Sequence, residues 1–277
     1  MSEFEGLLAK MSVELSAHSV TAEYQMVLDE QRVPMNPFIG QPIQLEFAGE
    51  IHCQACNRLT KKSYSGGFCY PCSQKLAQCD LCMMKPETCH FEAGTCREPE
   101  WAESVCMQDH IVYLANSSGI KVGITRLGQV PTRWIDQGAS QALAIFRVKT
   151  RYQSGLVEVI FKNHVSDRTD WRKMLKGKAE SVDMLAVRDQ LMAACSAEIA
   201  DLQQQFGEQA ILALPDEEVL AIDYPVANYP EKVKSLNFDK TPEISGVLQG
   251  IKGQYLILDT GVLNIRKFSG YQIKMVA

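Results

Sequence analysis

The chain has 277 residues, 46% of them hydrophobic and 22% charged, an ordinary globular composition that excludes a disordered, collagenous or low-complexity protein. At roughly 150 residues per domain, it suggests about two domains. The net charge of −5 is too small to name a partner. No run of about 18 apolar residues offers a transmembrane helix, and the acidic start Met1-Ser2-Glu3-Phe4-Glu5 has no apolar signal region, so a cytoplasmic protein off the membrane is expected.

Residues 1–52 read as a β-rich N-terminal segment. Val20 to Leu28 alternates between apolar and polar residues, Gly40-Gln41-Pro42 breaks the run, and Ile43 to Phe47 alternates again. Residues 53–109 have little apolar periodicity, so their order must come from something other than a core. Eight cysteines fall between Cys53 and Cys96, a span of 44 residues, and Cys106 follows closely. Without a secretory signal, CxxC pairs point to metal rather than to disulfides.

Cys53 and Cys56, then Cys69 and Cys72, are two CxxC knuckles a dozen residues apart. Four thiolates at this spacing can close a tetrahedron around a structural Zn²⁺. Arg58, Lys61, Lys62 and Tyr64 lie between the ligands and could meet nucleic acid. A second structural zinc is expected at Cys79, Cys82, Cys89 and Cys96, with Cys106, His90 and His110 competing for the last places.

From residue 110 the pattern turns mixed. Residues 111–125 read as a hairpin turning at Asn116–Gly119, and Pro131 to Gly138 as a short helix with proline at its start and glycine at its end. A strand over 142–150 and a helix over 155–163 follow. Residues 110–178 hold twelve Lys/Arg against four Asp/Glu, a basic island in an acidic chain and a candidate footprint for a polyanion. Residues 179–209 read as one long packing helix, striped by Leu185, Met192, Cys195, Ile199, Leu202 and Phe206. Residues 210–277 read as a small, glycine-punctuated β-rich module that can complete a sheet with the N-terminal segment.

Tyr113 on the first strand of the hairpin and Lys121-Val122-Gly123-Ile124-Thr125 on the second resemble the GIY-YIG nuclease superfamily, in its divergent Lys-Ile-Gly-Ile-Thr form, over about residues 110–175. Arg133 on the next helix and Glu158 on the helix after the third strand follow in the same order. The resemblance implies a phosphodiester hydrolase in which Tyr113 activates water, Arg133 steadies the phosphate and Glu158 holds Mg²⁺ or Mn²⁺. Lys121, Thr125 and Arg126 would supply further contacts to nucleic acid. His110 stands where a glycine might be expected, and Lys121 replaces the superfamily's second tyrosine, which leaves binding without cleavage as the alternative to the preferred hydrolase.

The whole chain also resembles an uncharacterised bacterial zinc-cysteine family, through Gly67 to Cys72, Cys89 to Arg97, Lys121 to Arg126, Arg133 to Ala139 and Asp170 to Arg172. That resemblance implies architecture and no activity. The expected fold is α+β: a GIY-YIG-like core preceded by a two-zinc cysteine module and flanked by β-rich segments. Three functions stay open: a metal-dependent nuclease, a non-catalytic zinc-dependent nucleic-acid-binding module, and a zinc-stabilised protein-interaction scaffold docking through the 179–206 helix.

Overall fold

The computed structural model describes residues 2–277. The strands in chain order are β1 (Glu3–Leu7), β2 (Ser12–Leu15), β3 (Ala22–Leu28), β4 (Gln31–Pro34), β5 (Pro42–Ile51), β6 (His110–Asn116), β7 (Ile120–Arg126), β8 (Gln141–Val148), β9 (Ile211–Ala213), β10 (Leu220–Ala221), β11 (Glu243–Lys252), β12 (Tyr255–Leu258), β13 (Gly261–Asn264) and β14 (Tyr271–Val276). The helices are α1 (Tyr70–Lys75), α2 (Pro99–Val105), α3 (Thr132–Asp136), α4 (Arg151–Lys162), α5 (Trp171–Met174), α6 (Met184–Ala194) and α7 (Ser196–Phe206). The architecture is mixed α/β with three antiparallel sheets, and no described helix is long and apolar enough to cross a membrane.

The two ends of the sequence form one sheet, in the order β1-β14-β5-β11-β12-β13. Alternation fixes its register: Leu45 pairs with Met275 and Ile244, all buried, while Glu46 between them faces out. The small sheet β2-β3-β4 packs on the same core, and Leu8 bridges to Leu28.

The central sheet has the order β10-β8-β6-β7, with β9 also on β8. Every residue of β6 is buried, because both faces of this strand are covered. Ile111, Tyr113 and Ala115 face the core shared with the terminal sheet, together with Trp134 and Ile135 of α3. Val112 and Leu114 face a second core, closed by Val157 and Phe161 of α4 and by α6 and α7.

The single helix expected over 179–209 is two helices. Residues 179–183 are not helical, the Asp183 carboxylate caps α6, and the chain turns at Cys195 (φ −100°, ψ 7°) before α7. Cys195 is fully buried with Leu191 and Ile199 in the second core, so the break keeps one apolar stripe on that core. Trp134 is 6% exposed and packs on Tyr113 with ring centroids 5.8 Å apart, a core residue.

Candidate metal centre and phosphate site

The first cysteine pair leaves β5 directly. Cys53 N–H donates to Arg58 O and Asn57 N–H to Cys53 O, with Asn57 in the left-handed region (φ 54°), giving the tight turn a CxxC knuckle needs. The return hairpin bends at Ser65-Gly66-Gly67, all at positive φ, and α1 begins just after Cys69. The Sγ atoms of Cys53, Cys56, Cys69 and Cys72 lie within 4.8 Å of one another. The Cys56–Cys69 separation is 3.8 Å. A tetrahedron of ~2.3 Å Zn–S bonds has an edge of ~3.8 Å, so the four residues fit zinc.

The electrostatics agree with a metal site. Burial works against ionisation of Cys53, yet the N–H groups of Cys69, Cys56 and Ala55 bring its thiol down to about 6. Cys72, hydrogen-bonded to Cys69 and crowded by the other thiols, is pushed up to about 12. Four thiols this close cannot all ionise without a cation among them.

The second expected tetrad does not close. The group that comes within 4.8 Å is Asp80, Cys82 and His90. Cys79 instead lies where the thiol of Cys53 and the guanidinium of Arg97 bear on it. Cys89, Cys96 and Cys106 share the surroundings of Cys82 without joining it at ligand spacing. Asp80 is held by Arg97 and caps the turn at Cys82; burial opposes its charge, but the Cys82 N–H and Arg97 keep its carboxyl low. His110 does not join this group. It is fully buried on β6, its Nδ1 against Gln108 O at 2.7 Å, with Nε2 unpartnered.

The half of the cysteine module after Cys79 docks on α4. Arg151 donates to Met83 O at 2.7 Å, and its own N–H reaches Cys106 O at 2.8 Å. Gly155 makes the contact possible: a Cβ there would lie 2.6 Å from Glu87 N and from Pro86 Cβ. Glu158, one turn further on, therefore lies beside Glu87. Neither makes an ion pair among the described residues, and Glu87 Oε2 is buried with no partner. Burial first, then the neighbouring carboxylates Asp167 and Glu87, push the Glu158 pKa up, against Lys162.

The β6–β7 register pairs Tyr113 with Gly123 and Ala115 with Lys121. Strand alternation puts Lys121, Gly123 and Thr125 on the face of Tyr113 and Arg126 on the other, where it bears on His110 and Cys106. Arg126 thus stands apart from the expected group, and Thr125 is buried. Gln137 Oε1 accepts the Tyr113 hydroxyl at 3.1 Å and also the Lys121 ammonium. Tyr113 is fully buried, and burial raises its pKa. Lys121 is 5% exposed; burial, then Arg133, lowers its pKa to about 8.

Arg133 lies at the centre of these charges. It bears on Tyr113, Lys121, Arg151 and Arg266. None of the four cations Lys121, Arg133, Arg151 and Arg266 has an ion-pair partner among the described residues. Glu158 acts on Lys121 and Arg151, and Asp136 on Arg266, without closing an ion pair, so an anion placed among the four cations would relieve their mutual repulsion.

The family model described as "Protein of unknown function (DUF2797)" matches residues 40–273. The chain belongs to this family. No curated protein and no solved structure matches it. The DUF2797 match takes in the cluster of Cys53, Cys56, Cys69 and Cys72, the β6–β7 hairpin and most of the C-terminal strands, so the cationic group is assembled wholly inside it. It adds nothing to the GIY-YIG resemblance.

Sequence reasoning missed Glu87, Gln137, Arg151 and Arg266. Gln137 was legible only as part of the run Arg133 to Ala139, which is longer than one arginine demands. Glu87 and Arg266 come from segments outside the basic island, and no local pattern joins them to it.

Proposed function

We propose that this protein acts on nucleic acid at the face where Arg133, Lys121 and Glu158 meet, as a divalent-metal-dependent phosphodiester hydrolase with a structural zinc. The observation that carries this reading is the cluster of four cations, none closing an ion pair among the described residues, beside two half-buried carboxylates that close none either. A phosphodiester supplies the anion, and the extra charge of its transition state is what an arginine fork stabilises best.

Arg133 holds the scissile phosphate, with Arg151 and Arg266 adding field. Glu158, with Glu87 beside it, would hold Mg²⁺ or Mn²⁺. The fit rests on the orphaned Glu87 Oε2 and on the hard oxygen donors this pair presents. When bound, such an ion polarises the phosphoryl oxygen. The order Tyr113, Lys121, Arg133, Glu158 on β6, β7, α3 and, after β8, α4 is the order the GIY-YIG resemblance implies. The roles differ in one respect. Tyr113 is sealed and committed to Gln137, so it positions Lys121 through that amide, while Lys121, with a pKa of about 8, is the group that exchanges a proton near neutral pH.

The same sealed tyrosine favours a second reading, binding without cleavage, in which Lys121 and Arg133 serve only as phosphate contacts. The test is cleavage of labelled DNA and RNA, single- and double-stranded, by zinc-loaded protein with Mg²⁺ or Mn²⁺, wild type beside Glu158→Ala and Arg133→Ala. Metal-dependent cleavage lost in both variants is the expected result. Salt-sensitive binding that needs Arg133, without cleavage, would replace the hydrolase by the binding module. Absence of both would overturn the nucleic-acid reading.

A further inference from the structure

A second cationic site lies away from Arg133, in a cavity of about 580 Å³ between the zinc knuckles and the C-terminal strands. Lys61 and Lys62 line it from the knuckle hairpin, and Lys267, Asp239 and Tyr271 from the terminal sheet and its connections. The two walls are locked together. His52 N–H donates to Gly270 O at 2.7 Å, and a Cβ on Gly270 would lie 2.2 Å from His52 O. None of the three lysines has an ion-pair partner among the described residues. Asp239, the one acid in the wall, is engaged by the Tyr271 hydroxyl at 2.8 Å.

An aromatic pair stands beside Lys62. Tyr64 and Tyr70 meet edge to face, centroids 5.5 Å apart; the Lys62 ammonium lies 5.7 Å from the Tyr64 ring; and Tyr70 is 57% exposed. Tyr70, at the first turn of α1, is an exposed aromatic ring able to stack on a base. The C-terminal wall also leads to Arg133. Lys267 adjoins Arg266 in the turn Ile265–Phe268, whose Ile265 N–H is held by Gln254 O at 2.9 Å. The Gln254 side chain donates to Asp136 Oδ1 of α3, also at 2.9 Å. Arg266 is therefore set against the helix that carries Arg133.

We infer that the substrate is a single strand of nucleic acid, gripped by the zinc knuckles with a base on Tyr70 and phosphates on Lys61, Lys62 and Lys267, and led by Arg266 to Arg133. This deepens, and rests on, the nucleic-acid reading above. Stacking on a tyrosine needs an unpaired base, because a duplex hides its base faces. Lysines serve as point charges for a backbone of any sequence, so the preference is for strandedness rather than for sequence.

Fluorescence anisotropy of the zinc-loaded protein with 20-mer single-stranded DNA and RNA, and with blunt duplexes of the same sequence, tests the inference. Single strands should bind at least about tenfold more tightly than duplexes, about one stacked base's worth. Tyr70→Ala should lose most of that preference, and Tyr70→Phe should keep it. Lys61→Ala/Lys62→Ala/Lys267→Ala should flatten the log–log salt slope by about two, at about 0.7 per phosphate contact. Unchanged zinc content certifies the fold of each variant. Equal binding of duplex and single strand, or a salt slope untouched by the triple variant while Arg133→Ala weakens binding, would overturn this inference and leave the phosphate site standing. No binding of any strand at low salt would overturn both.

Discussion

Tyr113, Gln137 and Lys121 form a chain in which one amide oxygen serves two donors, and its behaviour can be read from Gly123. A Cβ at Gly123 would lie 2.7 Å from the Tyr113 hydroxyl oxygen, in a fully buried site where the ring is already packed on Trp134. Gly123→Ala should therefore cost about 1–3 kcal/mol, by overpacking, in urea unfolding at constant m-value. Lys121 has the second residue-scale signature. Its folded pKa of about 8 lies below the ordinary 10.5, so the folded protein releases this proton first. The cost of burying its charge is fully present below pH 8 and is relieved as pH rises towards 10.5. Phosphate binding has the opposite sign, because the neutral amine is a weaker partner: oligonucleotide affinity should fall as pH rises through about 8. Lys121→Met should bind about 10-fold or more weakly, as expected for a lost charged hydrogen bond, and should lack that step. Lys252, also at about 8 and buried, shares the stability window but lies elsewhere, so the Lys121 part is the difference between wild type and variant.

At the scale of elements, the hairpin β6–β7 and the short helix α3 were plain in the sequence, because turn residues and strand alternation act locally. The helix α4 begins at Arg151 rather than near Gly155, and its start was legible: Thr150 and Gln153 form a capping box. The break at Cys195 was not, since a stripe at spacings of three, four and seven reads the same through a bend that keeps its apolar side inward. The grouping in the second half of the cysteine module has no such local signature either. The CxxC spacing pairs Cys79 with Cys82 and proximity adds Cys89 and Cys96, but the chain folds as successive 3-10 turns that bring Cys79 under the influence of Cys53 and Asp80 and His90 to Cys82. The decisive contact, Gly155 under Pro86 and Glu87, joins segments far apart in the chain and has no local signature. Gly155→Ala drives its added Cβ into the Pro86–Glu87 backbone, so it should raise hydrogen exchange across residues 83–90 while leaving the Cys53–Cys72 knuckles protected. Equal protection in the variant would mean that the module does not depend on α4.

For the whole molecule, acid and metal act on different parts of the architecture. His110 is buried, and burial lowers its pKa to about 4, so the folded protein keeps it neutral while the unfolded chain takes up a proton near 6.5. That contribution is intact above about pH 6.5 and is lost as pH falls through the window to 4. Its size is about 3 kcal/mol at roughly 1.4 kcal/mol per unit. Zinc release from the thiolates runs in the same direction, so the His110 part is the slope that disappears in His110→Gln at equal zinc content. Metal loss at neutral pH isolates the other part. The Cys53–Cys72 site hangs between the end of β5 and Gly270 just before β14, at the seam where the two ends of the chain meet. Chelation, or Cys69→Ser, should release about one equivalent of zinc from this site and expose residues 52–72 to proteolysis. It should also loosen Lys61 and Lys62 relative to Lys267, because beyond the anchors at His52–Gly270 and Thr60–Ile51 the hairpin is fixed by the knuckle. The central sheet, which buries both faces of β6 without help from the metal, should keep its hydrogen-exchange protection. Loss of protection at β6 together with the knuckle would show that the zinc holds the entire fold rather than one wall of a binding surface.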